Sequence, residues 1–413
     1  MKTPLRSACA LAALLCAPAL AQPAPDAPPA RAAAPPAAVP QGGPQAAAIR
    51  KTLAGIRLPP GFRIALYALA PDARMIAVGP QGTAAFVSTR KDKVYSLADR
   101  AHAGAADDVR EFAPGAGFDN PNGVCLSPDG VLFVAEQNRI LAFPAAESAT
   151  ANPAPPATTL VRQGDLIPVA EESSNHSARV CRIGPDNKLY VTLGQPYNVP
   201  APGKLALYDK VGMGGIVRMD RDGANREAYA RGIRNSVGLD FAADGTLWFT
   251  DNQVDGMGDD IPPGEINHAT RMGQNFGFPW YGGGHTRTTE YRNATPPADA
   301  VFPVVEEVAH AADLGMTIYN GTMFPREYRG AIFSAQHGSW NRTTPVGARV
   351  MVTMIDASGH APAGSRPFAE GWLDKNGEYD GRPVDVEQMR DGSLLVSDDL
   401  AGAVYRITYE APK

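Results

Sequence analysis

Apolar residues recur with a period of two in short runs along this chain, each run preceded by tight-turn residues. Leu132 and Val134 flank Phe133, Leu189 and Val191 flank Tyr190, and Leu247 and Phe249 flank Trp248. This alternation of aliphatic, β-branched and aromatic residues predicts strands, and helical periodicity is nearly absent. Asp-Gly or Asp-Asn stands before the runs, the chemistry of a hairpin turn that tolerates positive φ. The whole phrase repeats, as PNGVCLSPDGVLFVAE at 121–136, HSARVCRIGPDNKLYVTLGQ at 176–195, RNSVGLDFAADGTLWFTDNQ at 234–253 and RPVDVEQMRDGSLLVSDD at 382–399. Looser copies occupy 74–90 (RMIAVGPQGTAAFVSTR) and 315–337 (GMTIYNGTMFPREYRGAIFSAQH).

Six copies of a roughly four-stranded unit predict an all-β fold, a six-bladed β-propeller. The 42 glycines and 38 prolines suit its many turns. The turn aspartates at 129, 186, 244 and 391 set a common register. Ten residues before them stand Asp119, His176, Arg234 and Gly381, and nine before them Asn120, Ser177, Asn235 and Arg382. Inner strands of a propeller begin at one end of the central channel, so His176, Arg234 and Arg382 are expected to meet at its mouth.

The ends of the chain carry other information. Lys2 and Arg6 precede an apolar run closing with Ala19-Leu20-Ala21, the pattern of a secretory signal, so residues 1–21 are expected to be removed near Ala21. The run is too short to cross a membrane, and a periplasmic or secreted mature chain without a transmembrane segment is expected. Residues 22–48, rich in Ala and Pro, read as a disordered linker, and 49–413 as the propeller. A net charge of −5 without a basic tract argues against nucleic acid as partner. Cys125 and Cys181 either pair or sit as two buried thiols. No Cys-x-x-Cys-His is present, so haem attachment is not expected and electrons, if transferred, pass to a partner.

At the mouth, a neutral His176 beside a cation suits a general base. Arg234-Asn235 sets a forked donor beside an amide, suited to a carboxylate or quinone oxygen. His337, in AQHGSWNR, has Trp340 and Arg342 close by, a wall for a planar ligand or simply a covered blade edge. The segment 250–267 carries Asp251, Asp255, Asp259, Asp260 and Glu265 on a Gly- and Pro-bent loop, oxygen-rich as calcium loops are but without EF-hand spacing.

Over nearly all of 50–410 the chain resembles the soluble quinoprotein glucose/sorbosone dehydrogenases, which bind pyrroloquinoline quinone (PQQ). The resemblance is carried by NHSARVCRIGPDNKLYVTLG, RGIRNSVGLDF, DDIPPGEIN followed by GQNFGFPW, and FPREYRGAIFSAQHGSWNR; the last two look most like the sorbosone branch. It implies a six-bladed propeller with the quinone over the channel mouth and His176 as the base. It further implies that Arg234 and Asn235 hold the cofactor and stabilise charge on its oxygen, and that Arg382 grips a carboxylate. His337 falls where the glucose enzymes have a cofactor-binding lysine, and the Gly258, Asp259, Asp260 stretch lies near the loop whose carbonyls hold calcium. Asn175 stands for an aspartate before the base, and Val384 for a second arginine. The expected activity is PQQ- and calcium-dependent oxidation of an aldose, sorbosone or related sugar, with electrons passed to an external cytochrome or quinone. Two alternatives are a cofactor-free binding propeller and a calcium-dependent lactonase, the latter resting on Asp119 and Asn120.

Overall fold

The computed structural model describes Met1, residues 36–149 and residues 156–411. The expected signal sequence after Met1 and the first part of the linker lie outside the described residues. Six sheets follow one another around an axis, antiparallel except for a short parallel pairing of Gln274–Asn275 in blade 3, and the fold is a six-bladed β-propeller. The inner strands of blades 1 to 6 are Ile76–Val78, Gly123–Leu126, Cys181–Ile183, Gly238–Phe241, Asp313–Ile318 and Pro383–Gln388. In blades 2, 3, 4 and 6 the residue after the turn aspartate takes positive φ: Gly130 (82°), Asn187 (59°), Gly245 (84°) and Gly392 (85°).

Blade 6 is closed by the other end of the chain. Phe62–Leu69 pairs antiparallel with Ala403–Tyr409, its register running from Phe62↔Tyr409 to Leu69↔Ala403. Phe62 there packs its ring against Phe324, Tyr328 and Phe368 of blade 5, with centroids 4.8–5.3 Å apart. The pairing closes the ring, and each blade keeps only a short outer edge. The expected linker is ordered earlier than its boundary at 48. Val39 donates its N–H to the Val109 carbonyl, and the helix Pro44–Leu53 buries Ala46, Ile49 and Leu53 in the same apolar cluster as Phe62.

Cys125 and Cys181, on the inner strands of blades 2 and 3, form a disulfide with Cα atoms 5.6 Å apart. Deeper in the channel Arg182 of blade 3 bonds Asp240 of blade 4 at 3.0 Å and Glu387 of blade 6 at 2.7 Å. Asp240 also accepts the Ile318 N–H of blade 5. Four blades are therefore tied through one charged knot. No helix among the described residues is long and apolar enough to cross a membrane.

Candidate functional site

A cavity of about 450 Å³ opens at one end of the propeller. It is lined by His176, Arg234, Asn235, His337 and Trp340, together with Arg74 and Arg90 of blade 1. Residues of blades 3 and 4 thus meet here at their shared register. Asn120 of blade 2 joins them indirectly, donating to the Ser177 hydroxyl at 2.9 Å.

His176 has φ 50°, the left-handed region that non-glycine residues seldom adopt. Its Nδ1 lies 2.6 Å from the Gln195 carbonyl oxygen. A carbonyl only accepts, so the imidazole proton sits on Nδ1 and the lone pair is on Nε2. Burial, with Arg234 nearby, pulls the imidazole down to about 4. At neutral pH His176 is therefore an uncharged acceptor.

Arg234 and Asn235 are fixed through their main chain. Asp251, at the end of the blade 4 strand Leu247–Asp251, accepts the Arg234 N–H at 2.8 Å and the Asn235 N–H at 2.7 Å. The Arg234 guanidinium bonds the Asn198 carbonyl (3.1 Å) and side-chain oxygen (2.8 Å), the Asn252 carbonyl (3.2 Å) and Asp255 (2.8 Å). Asn235 Oδ1 is buried and has no partner among the described residues. Gly194 explains the tight packing here, because a Cβ on it would lie 2.6 Å from Asn235 Oδ1 and 2.8 Å from the His176 carbonyl.

The opposite wall is a hydrogen-bonded chain that ends in an ion pair. His337 Nε2 lies 2.8 Å from Asp399, and Asp399 bonds Arg74 at 2.8 Å. Despite its burial, Asp399 is held well below the usual carboxylate range by His337 and Arg74. Burial lowers His337, and Asp399 opposes that. Arg90 differs from the other cavity guanidiniums: among the described residues its one hydrogen bond is to the Ser174 carbonyl, at 3.4 Å, and Asp399 acts on it only from beyond ion-pair distance. Trp340 stands 75% exposed at the rim.

Two expected mouth residues are placed elsewhere. Arg382 sits behind the wall, donating to the His337 carbonyl at 3.0 Å and the Gly338 carbonyl at 2.6 Å over the Tyr379 ring. Arg342 turns toward the blade 4 insertion, bonding the Ala309 and Asp259 carbonyls and the Asp260 carboxylate. Arg74 and Arg90 were missed by counting because the blade 1 turn, Gly79-Pro80-Gln81-Gly82, has no aspartate to count from. They are nonetheless the first and last residues of the looser repeat at 74–90.

The Gly258–Asp260 stretch fits a calcium ion poorly. The Gly258 carbonyl accepts from His310 Nε2 at 2.8 Å, the Asp259 carbonyl from the Arg342 guanidinium, and the Asp260 side chain is 90% exposed. A cation there would stand against a guanidinium. Among the described residues no three His, Cys, Asp or Glu side chains form a metal-holding group. Free hard oxygens exist nearby: among the described residues Gln253 Oε1 and Asn341 Oδ1 are buried without partners, and both amides bond His310, with Asn341 also bonding Asp255.

Several solved structures share this architecture. The holo form of the pyranose dehydrogenase PQQ domain from Coprinopsis cinerea matches 86% of this chain and 97% of its own, with TM-score 0.67 and 19% identity. The calcium structure of the Trichoderma reesei carbohydrate-active enzyme of family AA12 matches 86% and 97%, with TM-score 0.69 and 17% identity. The PQQ-bound aldose sugar dehydrogenase from Streptomyces coelicolor matches 86% and 100%, with TM-score 0.60 and 18% identity. At these identities the likeness is one of fold. An uncharacterized protein of Borreliella burgdorferi is 37% identical over 248 residues, a match spanning 59% of this chain and 63% of that relative's length. Residues 145–406 match the model of the Glucose / Sorbosone dehydrogenase family, a stretch that includes His176, Arg234, Asn235 and His337. The chain belongs to the Glucose / Sorbosone dehydrogenase family.

Proposed function

We propose that this protein oxidises an aldose, sorbosone or related sugar with PQQ as cofactor, His176 serving as the general base. The observation that carries the reading is the state of His176, an uncharged imidazole whose proton is committed to Gln195 and whose Nε2 is free in a cavity lined with guanidiniums. When bound, the quinone supplies a two-electron acceptor for the hydride. His176 Nε2 takes the proton of the sugar hydroxyl, and the Gln195 carbonyl stabilises the resulting imidazolium through Nδ1–H. Arg234, facing the same imidazole, opposes that charge and favours release of the proton.

PQQ is an anionic, planar quinone, and the cavity offers groups of matching chemistry. Arg90 has no carboxylate partner among the described residues, Asn235 presents its side chain, and Trp340 offers a flat apolar face. Calcium enters the reading only at the free oxygens around Asp255, and no step depends on it. The lactonase alternative needs carboxylates and amides converging on a naked metal, whereas guanidiniums dominate this mouth. The Cys125–Cys181 disulfide supports export to an oxidising compartment, where an external cytochrome or quinone would accept the electrons.

Reconstitution with PQQ, followed by dye-linked oxidation across an aldose panel, tests the proposal. His176→Gln is expected to lower kcat about 10²–10⁴-fold while leaving the fold intact. Undiminished turnover in that variant would remove His176 from the chemistry.

A further inference from the structure

Arg179 is 1% exposed, and among the described residues it forms no ion pair. A buried guanidinium without a carboxylate is costly, so what it holds is informative. Its Nε donates to the Gln137 carbonyl at 3.0 Å. Its Nη1 donates to the His176 carbonyl at 3.0 Å and to the Gly194 carbonyl at 3.3 Å. These carbonyls belong to three different segments: the exit of the second blade 2 strand, the approach to the inner strand of blade 3, and the exit of the second blade 3 strand.

Each of the three segments bears on the imidazole. His176 is the base itself, in its left-handed conformation. Gly194 adjoins Gln195, whose carbonyl receives Nδ1–H. Gln137 lies on blade 2 and fixes the approach segment again, its side chain donating to the Ser173 carbonyl at 2.6 Å. In blade 4 a carboxylate, Asp251, does the corresponding work by accepting N–H groups; in blade 3 the residue seven past the turn aspartate is Leu193, whose side chain offers no acceptor.

We infer that Arg179 is the positioning residue of the site, clamping the His176 and Gly194 carbonyls so that the imidazole keeps its Nδ1–H on Gln195 and its Nε2 toward the cavity. This rests on the reading of His176 as the base. Arg179 also adds positive charge near the imidazole, as Arg234 and Arg90 do, while the Gln195 carbonyl acts in the opposite sense.

The test uses Arg179→Lys, which keeps the charge but loses the fork, and Arg179→Gln, which loses both. In holoenzyme, R179K is expected to lower kcat about 10²-fold with little change in sugar KM. NMR of the histidine-labelled chain, with the His176 resonance assigned through H176Q, provides a readout independent of turnover. The Nδ1–H signal should weaken in both variants, and the His176 titration should move up in R179Q but stay low in R179K. A merely structural arginine would lower the melting temperature and leave the titration and the signal as they are. Both variants keeping wild-type kcat, signal and titration would overturn the inference. A wild-type holoenzyme inactive on every sugar, with the NMR changes present, would instead sink the proposed activity and leave Arg179 as the clamp of His176.

Discussion

The mouth and the throat of the channel are both built from charged residues, yet they solve opposite problems. In the throat Arg182 is shared between Asp240 and Glu387, and the four blades it ties need nothing further. At the mouth Arg74 and Arg234 each have one carboxylate, while among the described residues Arg90 is in no ion pair and Asn235 Oδ1 is buried without a partner. Unused hydrogen-bonding capacity at the mouth marks a place for a ligand; satisfied charge in the throat marks a structural plug. A charge cluster is thus read by its unused hydrogen-bonding capacity, and substitutions separate the two regions.

The largest effect is expected in the throat. Arg182→Met leaves Asp240 and Glu387 without their cation and should cost about 3–5 kcal/mol, read as a lower thermal midpoint. PQQ affinity of the folded variant should stay near wild type, because the mouth does not use Arg182. Opening the disulfide with Cys125→Ser/Cys181→Ser releases a crosslink between residues 56 apart. Loop-closure entropy puts that near 4 kcal/mol, measurable by denaturant unfolding.

Acid should act on the mouth next. The His176 pKa in the folded protein, about 4, is below its ordinary value of 6.5, so the unfolded chain binds this proton more readily. The stability His176 contributes is therefore present above about pH 6.5 and lost as pH falls toward 4, a change of about 1–3 kcal/mol. In His176→Gln that part of the acid dependence should vanish. The smallest effect is at Arg90, where Arg90→Ala should weaken PQQ binding about tenfold with the melting temperature unchanged. A large loss of stability there would mean that Arg90, like Arg182, is structural.

The contrast also explains what the sequence made legible. Strand alternation and turn aspartates are local signals, so blades 2, 3, 4 and 6 and the meeting of His176 with Arg234 could be read by counting. Blade 1 replaces the turn aspartate with Gly79-Pro80-Gln81-Gly82, and its two cavity arginines fell outside the count. Counting placed the Arg382 main chain, but the long side chain found the His337 and Gly338 carbonyls instead of the cavity. The Cys125–Cys181 pairing was left open because the two lie in slightly different registers. Inner strands of adjacent blades share no ladder, so that offset is no bar to a bond. Closure of blade 6 by Phe62–Leu69 joins the chain's two ends and leaves no local signature.

The most direct measurement is calorimetric titration of the purified protein with PQQ at two salt concentrations, with Arg90→Ala alongside. The account predicts one saturable site, weakened by salt and weakened further in the variant. Absence of binding at micromolar quinone, or binding indifferent to both salt and Arg90, would contradict a mouth built to receive an anionic planar cofactor.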